Sequence, residues 1–161
     1  SMVAAARAQK TGEAAAAYCD WLGRQINARV QLPTVFEWEK AARGVDGRSY
    51  VWGDTYRPGE ALLRDHPAVA KYPAGAPPGS FPGDRSGYGA FDMTGNVREI
   101  VRVSNENGTS YFSAGGSGLT SPEQAQCPNI YYINGSAGDL GFRCVVELPQ
   151  PAKPVQVSVK Q

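Results

Sequence analysis

Hydrophobic and polar positions along the chain change period several times, and each change marks an element. Between Thr11 and Ala28 the apolar residues Ala15, Tyr18, Cys19, Leu22 and Ile26 recur at three- and four-residue steps, with Trp21 at their border. That spacing predicts an amphipathic helix whose apolar face packs into the core. The Ala-rich run before it extends the helix upstream to about Ala4, Thr11 is its candidate N-cap, and Asn27 ends it. Gln31-Leu32-Pro33-Thr34 reads as extended, because a residue before proline avoids the helical region. A second helix follows over Val35–Arg43. Thr34 caps it, Glu37 three residues on completes a capping box, and Gly44 stops it. Phe36, Trp38 and Ala41 or Ala42 are its candidate core residues, and Tyr50–Asp54 is a short extended piece.

From Val97 to Val103 apolar and charged residues alternate, which predicts a strand leaving the turn dipeptide Gly95-Asn96. Ser104–Thr109 is a turn in which Asn107-Gly108 is the hairpin signal. Ser110–Ala114 is the next strand, broken by Gly115-Gly116-Ser117. The segment from Gly118 to Asp139 is polar, and Leu140–Val146 reads as one closing strand. Residues from Thr55 to Arg85 form a long proline-rich loop, of the kind that carries function or is held by metals and side chains. Pro149–Gln161 is a proline-spaced tail expected to be mobile at its end.

Composition narrows the function classes. The 161 residues suit one domain, and 19 Gly with 12 Pro are too much punctuation for a helical bundle. A net charge of +1 without a Lys/Arg cluster argues against nucleic acid as a partner. The apolar runs are too short for a membrane span, and the N-terminus lacks a signal-peptide core. Ser1-Met2 reads as a cloning remnant, so the chain is expected to be cut from a longer one. A lone histidine, His66, supplies neither a two-histidine metal centre nor a serine triad with a nucleophile elbow. No glycine-rich phosphate cradle is present. Three cysteines, Cys19, Cys127 and Cys144, allow one disulfide and one free thiol, and the absence of a CxxC pair disfavours zinc.

Asp92 and Glu99 flank the Gly95-Asn96 loop, so their oxygens can converge with loop carbonyls in the all-oxygen arrangement that Ca²⁺ selects. The plainer alternative is that Asp92 caps a turn and Glu99 faces water.

Several pieces recur together in one family. They are Ala17-Tyr18-Cys19-Asp20-Trp21-Leu22, Leu32-Pro33-Thr34 with Glu37-Trp38-Glu39-Lys40-Ala41-Ala42-Arg43-Gly44, Val51-Trp52-Gly53-Asp54, Gly87 through Glu99, Gly115-Gly116-Ser117 and Leu140-Gly141-Phe142-Arg143-Cys144. In that order they resemble the formylglycine-generating enzyme, or sulfatase-modifying factor, family from about Ala14 to Val146, without its N-terminal portion. The resemblance implies an α+β, C-type-lectin-like fold over residues 4–148, with two helices, a small mixed sheet and much ordered loop. It implies structural calcium on the side chains of Asp92 and Glu99 and the carbonyls of Gly95 and Val97. A second calcium site of the family is not implied, because Leu62 stands where an Asn is expected. A Cys19–Cys144 disulfide is implied, the alternative being two buried thiols in a reducing compartment.

The family's copper-binding cysteines fall at Thr120 and Ala125 here, and neither side chain binds Cu(I), which prefers thiolate. Copper is therefore not expected, and oxidase activity is not carried over. Gln31, Val35 and Arg98 also depart from the family's Arg, Glu and Trp. Iron-dependent sulfoxide synthases of this fold take iron from histidines outside this region, and the lone His66 gives no support for that chemistry. The expected function is a non-catalytic binding module that displays residues 118–138 to a protein or small molecule. Thr120, Asn129, Tyr131, Tyr132, Asn134 and Ser136 are the contact candidates, since Tyr, Asn and Ser combine rigid area with adaptable hydrogen bonding. The same segment of this fold carries ligand display in the variable proteins of diversity-generating retroelements, which the chain also resembles. An oxidase with displaced ligands would have to use Cys127. A third expectation is a sensor or accessory domain of a larger bacterial kinase or secretion protein, cytoplasmic or exported.

Overall fold

The computed structural model describes residues 2–133 and 138–148. Helix α1 (Met2–Ile26) runs straight through Thr11, whose hydroxyl donates to the Arg7 carbonyl at 3.0 Å instead of capping a helix start. The buried face of α1 matches the expected one at Ala15, Cys19 and Leu22 and differs from it elsewhere. Tyr18, Trp21 and Ile26 are about half exposed, while Gly12, Ala15, Cys19 and Gly23 are buried. Close approach selects small residues there. A Cβ on Gly12 would lie 2.0 Å from Tyr111 Cγ, and one on Gly23 would lie 2.6 Å from the Ala28 carbonyl oxygen. Asn27, at φ 52°, ends the helix as expected.

Strand β1 (Val30–Gln31) leads into α2 (Val35–Arg43). The capping box is complete: Thr34 Oγ1 accepts the Glu37 N–H, and Glu37 Oε2 accepts the Thr34 N–H at 2.7 Å. Gly44 closes the helix in the left-handed region, donating to the Lys40 carbonyl. Trp38 and Ala42 are buried, but Phe36 is 79% exposed, since it lies on the opposite side of the helix from Trp38. Tyr50 and Gly53 exchange backbone hydrogen bonds, so the expected extended piece is a tight turn.

Four strands form the central sheet in the order β4-β3-β2-β5: β2 (Arg98–Asn105), β3 (Gly108–Ala114), β4 (Ile130–Tyr132) and β5 (Leu140–Gly141). β2 and β3 pair antiparallel up to Asn105↔Gly108. The hairpin turn is therefore Glu106-Asn107, one residue ahead of the expected signal, and the Asn105 carboxamide oxygen accepts the Asn107 N–H. β4 lies inside the segment read as polar surface. The expected closing strand is two: β5 pairs parallel with β2, and β6 (Val145–Val146) pairs antiparallel with β1. Between them Phe142, Arg143 and Cys144 leave the ladders, because Arg143 and Cys144 are bonded elsewhere. Cys144 is bonded to Cys19, with Cα atoms 5.7 Å apart, which ties the end of the domain to α1.

The core has two main parts. Trp38, Val51, Met93, Val101, Ala114 and Cys127 pack between α2 and the sheet. Ala15, Cys19, Val30, Leu32 and Ile100 pack under α1. The proline-rich loop is ordered around Leu62, Ala76 and Phe81, with a short 3₁₀ turn at Pro67–Ala70 capped by His66 Nδ1.

Candidate functional site

The loop at 92–99 is the fastening point of the molecule. Asp92 and Asn96 adopt positive φ, 59° and 76°, conformations that Asp and Asn tolerate better than other side chains. Asn96 exchanges two hydrogen bonds with Ala76: Oδ1 accepts its N–H at 2.7 Å, and Nδ2 donates to its carbonyl at 3.2 Å. The Asn96 N–H donates to the Leu62 carbonyl, and a Cβ on Gly95 would meet that same oxygen at 2.8 Å. Asp92 Oδ2 accepts the Gly79 N–H at 2.7 Å. Each contact joins the proline-rich loop to the turn that leads into β2.

Asp84, a residue that the sequence reading passed over, holds the loop from beneath. Its carboxylate accepts the Thr94 N–H at 2.9 Å and the Gly95 N–H at 2.8 Å. It is almost fully buried, and burial pushes its carboxyl up to about 6 against the partial relief of those N–H donors. In the sequence it is one Asp among turn residues, with nothing local to show that it turns inward.

The four expected calcium positions divide into two groups. Asp92 Oδ1 is buried without a hydrogen-bond partner among the described residues, an oxygen that a cation would satisfy. Gly95 and Val97 lie in the same loop. Glu99, however, is committed: it accepts the Trp38 indole N–H at 2.6 Å and Arg143 Nε and Nη2 at 2.6 and 2.5 Å. Arg143 Nη2 also donates to the Phe91 carbonyl at 2.9 Å. Burial alone would lower the Arg143 pKa, but its bonds to Glu99 outweigh that and hold it above the usual range. Asp92 thus keeps one buried oxygen without a partner among the described residues, while Glu99 as placed is taken up by an arginine. Among the described residues no three His, Cys, Asp or Glu side chains group around a point.

Beside this loop lies a half-open pocket of about 300 Å³, lined by Arg64, Arg98, Leu119, Thr120, Gln124, Tyr131 and Asp139. Its floor is an ion pair: Arg98 Nε and Nη2 donate to Asp139 at 3.0 and 2.9 Å, and both side chains are largely buried. Ser117 Oγ donates to the same carboxylate at 2.7 Å. Burial pushes the Asp139 carboxyl up, but the Arg98 and Ser117 hydrogen bonds outweigh it, leaving it below its ordinary value. Gly115 and Gly116 place Ser117 there by crossing the core. Gly115 sits at φ 72°, and a Cβ on Gly116 would lie within 2.7 Å of Ala125, Leu63 and the Thr94 carbonyl.

Of the expected contact residues, Thr120 and Tyr131 line the pocket. Asn129 does not face it: Nδ2 donates to the Glu123 carbonyl and braces the 121–129 loop. Tyr132, next to Tyr131 on β4, points to the other face of the strand and packs on Phe112. Asn134 and Ser136 lie outside the described residues. Ala125 is fully buried behind the pocket. Cys127 is sealed among Trp38, Val51 and Met93, and burial pushes its thiol up to about 12.

This arrangement, two helices against a curled mixed sheet with long loops pinned across it, is the α+β, C-type-lectin-like architecture of formylglycine-generating enzymes. The chain belongs to the sulfatase-modifying factor enzyme 1-like domain family, which it matches over residues 12–148. It is 37% identical over 94 residues to the formylglycine-generating enzyme of Mycobacterium tuberculosis, covering 53% of this chain and 29% of that one. It is 31% identical over 163 residues to the inactive C-alpha-formylglycine-generating enzyme 2 of Mus musculus, covering 85% of this chain and 47% of that one. The chain thus spans about half or less of these relatives. Among solved structures, PvdO from Pseudomonas aeruginosa superposes with a TM-score of 0.69 at 22% identity, over 85% of this chain and 60% of that one. Treponema denticola variable protein 1 follows the same fold, with a TM-score of 0.55 at 24% identity, over 73% of this chain and 47% of that one.

Proposed function

We propose that this domain is a non-catalytic binding module and that its ligand enters the pocket between Arg64, Leu119, Thr120 and Tyr131. The observation that carries this reading is what stands where the family's cysteines belong. Thr120 is on the pocket wall, Ala125 is buried behind it, and Cys127 is closed into the core with its proton held tightly. A pocket with one aromatic wall, one exposed leucine and several oriented polar groups, and without a soft metal ligand, is suited to holding a molecule rather than oxidising it. The mouse relative, whose name marks it as inactive, is consistent with loss of catalysis within this family.

A Thr120→Arg variant fills the pocket; it also removes the hydroxyl that accepts the buried Ser117 N–H, so its melt is compared with that of the wild type before it tests the assignment. Ligands selected against the wild-type domain from a small-molecule or peptide library are expected to lose binding to this variant. Undiminished binding places the site elsewhere. Calcium enters the proposal as a brace of the same frame, held by Asp92 with the carbonyls of Gly95 and Val97, and by Glu99 once it releases an oxygen from Arg143. Calcium is expected to raise the melting temperature of the wild-type domain and not that of Asp92→Asn. An identical melt with chelator and with calcium contradicts a structural ion.

A further inference from the structure

The two guanidinium groups in the pocket are committed differently. Arg98 spends Nε and Nη2 on Asp139, which cancels its charge. Arg64 spends the same two nitrogens on the Leu119 carbonyl, at 3.1 and 2.8 Å. A carbonyl fixes the group's orientation and leaves its charge whole. None of the salt bridges among the described residues involves Arg64. Its backbone N–H also donates to the Thr120 carbonyl at 3.1 Å, so main chain and side chain both hold it at the pocket. Nη1 makes no hydrogen bond among the described residues, and Nη2 reaches Gln124 Oε1 only at 3.5 Å. The end-on edge of Arg64, Nη1 with Nη2, is therefore open. That edge is a planar fork whose spacing matches the two oxygens of a carboxylate. With Arg98 and Asp139 cancelling, the lining carries one net positive charge, on Arg64, offset only from outside the lining by the solvent-screened pull of the exposed Glu123. Leu119, exposed at the rim, and the Tyr131 ring supply apolar area beside it.

We infer that the pocket takes a small monoanionic ligand, its carboxylate seated on the open fork of Arg64 and its apolar part between Leu119 and Tyr131. The inference rests on the pocket being a binding site and names the chemical class that it selects. A free carboxylic acid and the C-terminus of a peptide share this chemistry.

N-acetyl-L-leucine and its uncharged counterpart N-acetyl-L-leucinamide, titrated into the full chain and followed by amide chemical shifts, separate the possibilities. The acid is expected to shift Leu119, Thr120 and Tyr131 saturably, and the amide to bind at least about ten-fold more weakly. Arg64→Gln is expected to reduce the acid to the level of the amide, with Arg64→Lys intermediate because it keeps charge without the fork. A tetrapeptide ending in a leucine carboxylate that binds more tightly than the free acid assigns the peptide terminus, and equal or weaker binding assigns the free acid. Equal affinity for acid and amide in the wild type overturns the carboxylate assignment while leaving the pocket a binding site. No saturable shift with either compound, at tens of millimolar, overturns the inference without deciding the Thr120→Arg test. The wild-type comparison needs no variant to fold.

Discussion

Glu99 gathers three N–H donors, from the Trp38 indole and from two nitrogens of Arg143. Removing one member of a mostly buried ion pair strands the other, and that stranded charge dominates the loss. Arg143→Met is therefore expected to destabilise the domain by about 3–5 kcal/mol, measured by urea unfolding. A loss within experimental error of zero would show that Glu99 has another partner. Asp84 gives a separate signature in pH. Its carboxyl lies near 6 when folded, against an ordinary value of 3.8, so folding favours the protonated form. The stability that this lends is complete below about pH 4 and is lost as pH rises through about 6. The difference in unfolding free energy between wild type and Asp84→Asn is expected to fall by about 2–3 kcal/mol between pH 4 and 7. A flat difference would mean that Asp84 titrates normally. Glu99 and Asp92 were legible in the sequence as acids flanking a turn, but their partners were not. Gly79, Trp38 and Arg143 lie 13, 61 and 44 residues away, and no local pattern encodes such a pairing.

The helices and the hairpin show which elements a sequence declares. α2 was legible to the residue because its signals are local: the Thr34–Glu37 box and Gly44 lie within one short stretch. The face of α1 was legible only in part: Ala15, Cys19 and Leu22 pack inward as expected, but hydrophobicity ranks Tyr18 and Ile26 above Gly12 and Gly23, whereas burial here is decided by how closely backbones approach. Gly12→Ala tests this. Alanine gains about 1 kcal/mol of helix propensity, but its methyl must displace Tyr111, and overpacking costs about 1–3 kcal/mol. A net loss of stability and a shift of Tyr111 resonances are expected, whereas a stabilised protein would show that α1 sits away from β3. The bond between Cys19 and Cys144 closes a loop across 125 residues. Replacing both cysteines with serine is expected to lower stability by roughly 3–5 kcal/mol, and reductant is expected to have a similar effect on the melt of the wild type. An unchanged melt in both cases would make the bond dispensable.

At the level of the molecule, a sheet of four short strands carries a loop of some thirty residues, pinned at Leu62, Ala76 and Gly79 to the 92–96 turn. This is what the order of motifs announced, and the family match covers the same ground. The pocket was harder to see. Its walls come from Arg64, Arg98, the 119–124 turn, Tyr131 and Asp139, segments that meet only after folding; of these only Thr120 and Tyr131 were expected as contact residues, and Arg98 stood out only as a departure from the family's Trp. The frame of the family persists, while Thr120 and Ala125 stand where the resemblance puts its thiolate pair and Cys127 is enclosed in the core. Titration of Cu(I) against a chromophoric chelator, in ascorbate so that Cys19–Cys144 stays bonded, tests this most directly. Neither the wild-type domain nor Cys127→Ser is expected to take copper from the chelator. Stoichiometric Cu(I) on the wild type, lost in Cys127→Ser, would contradict it.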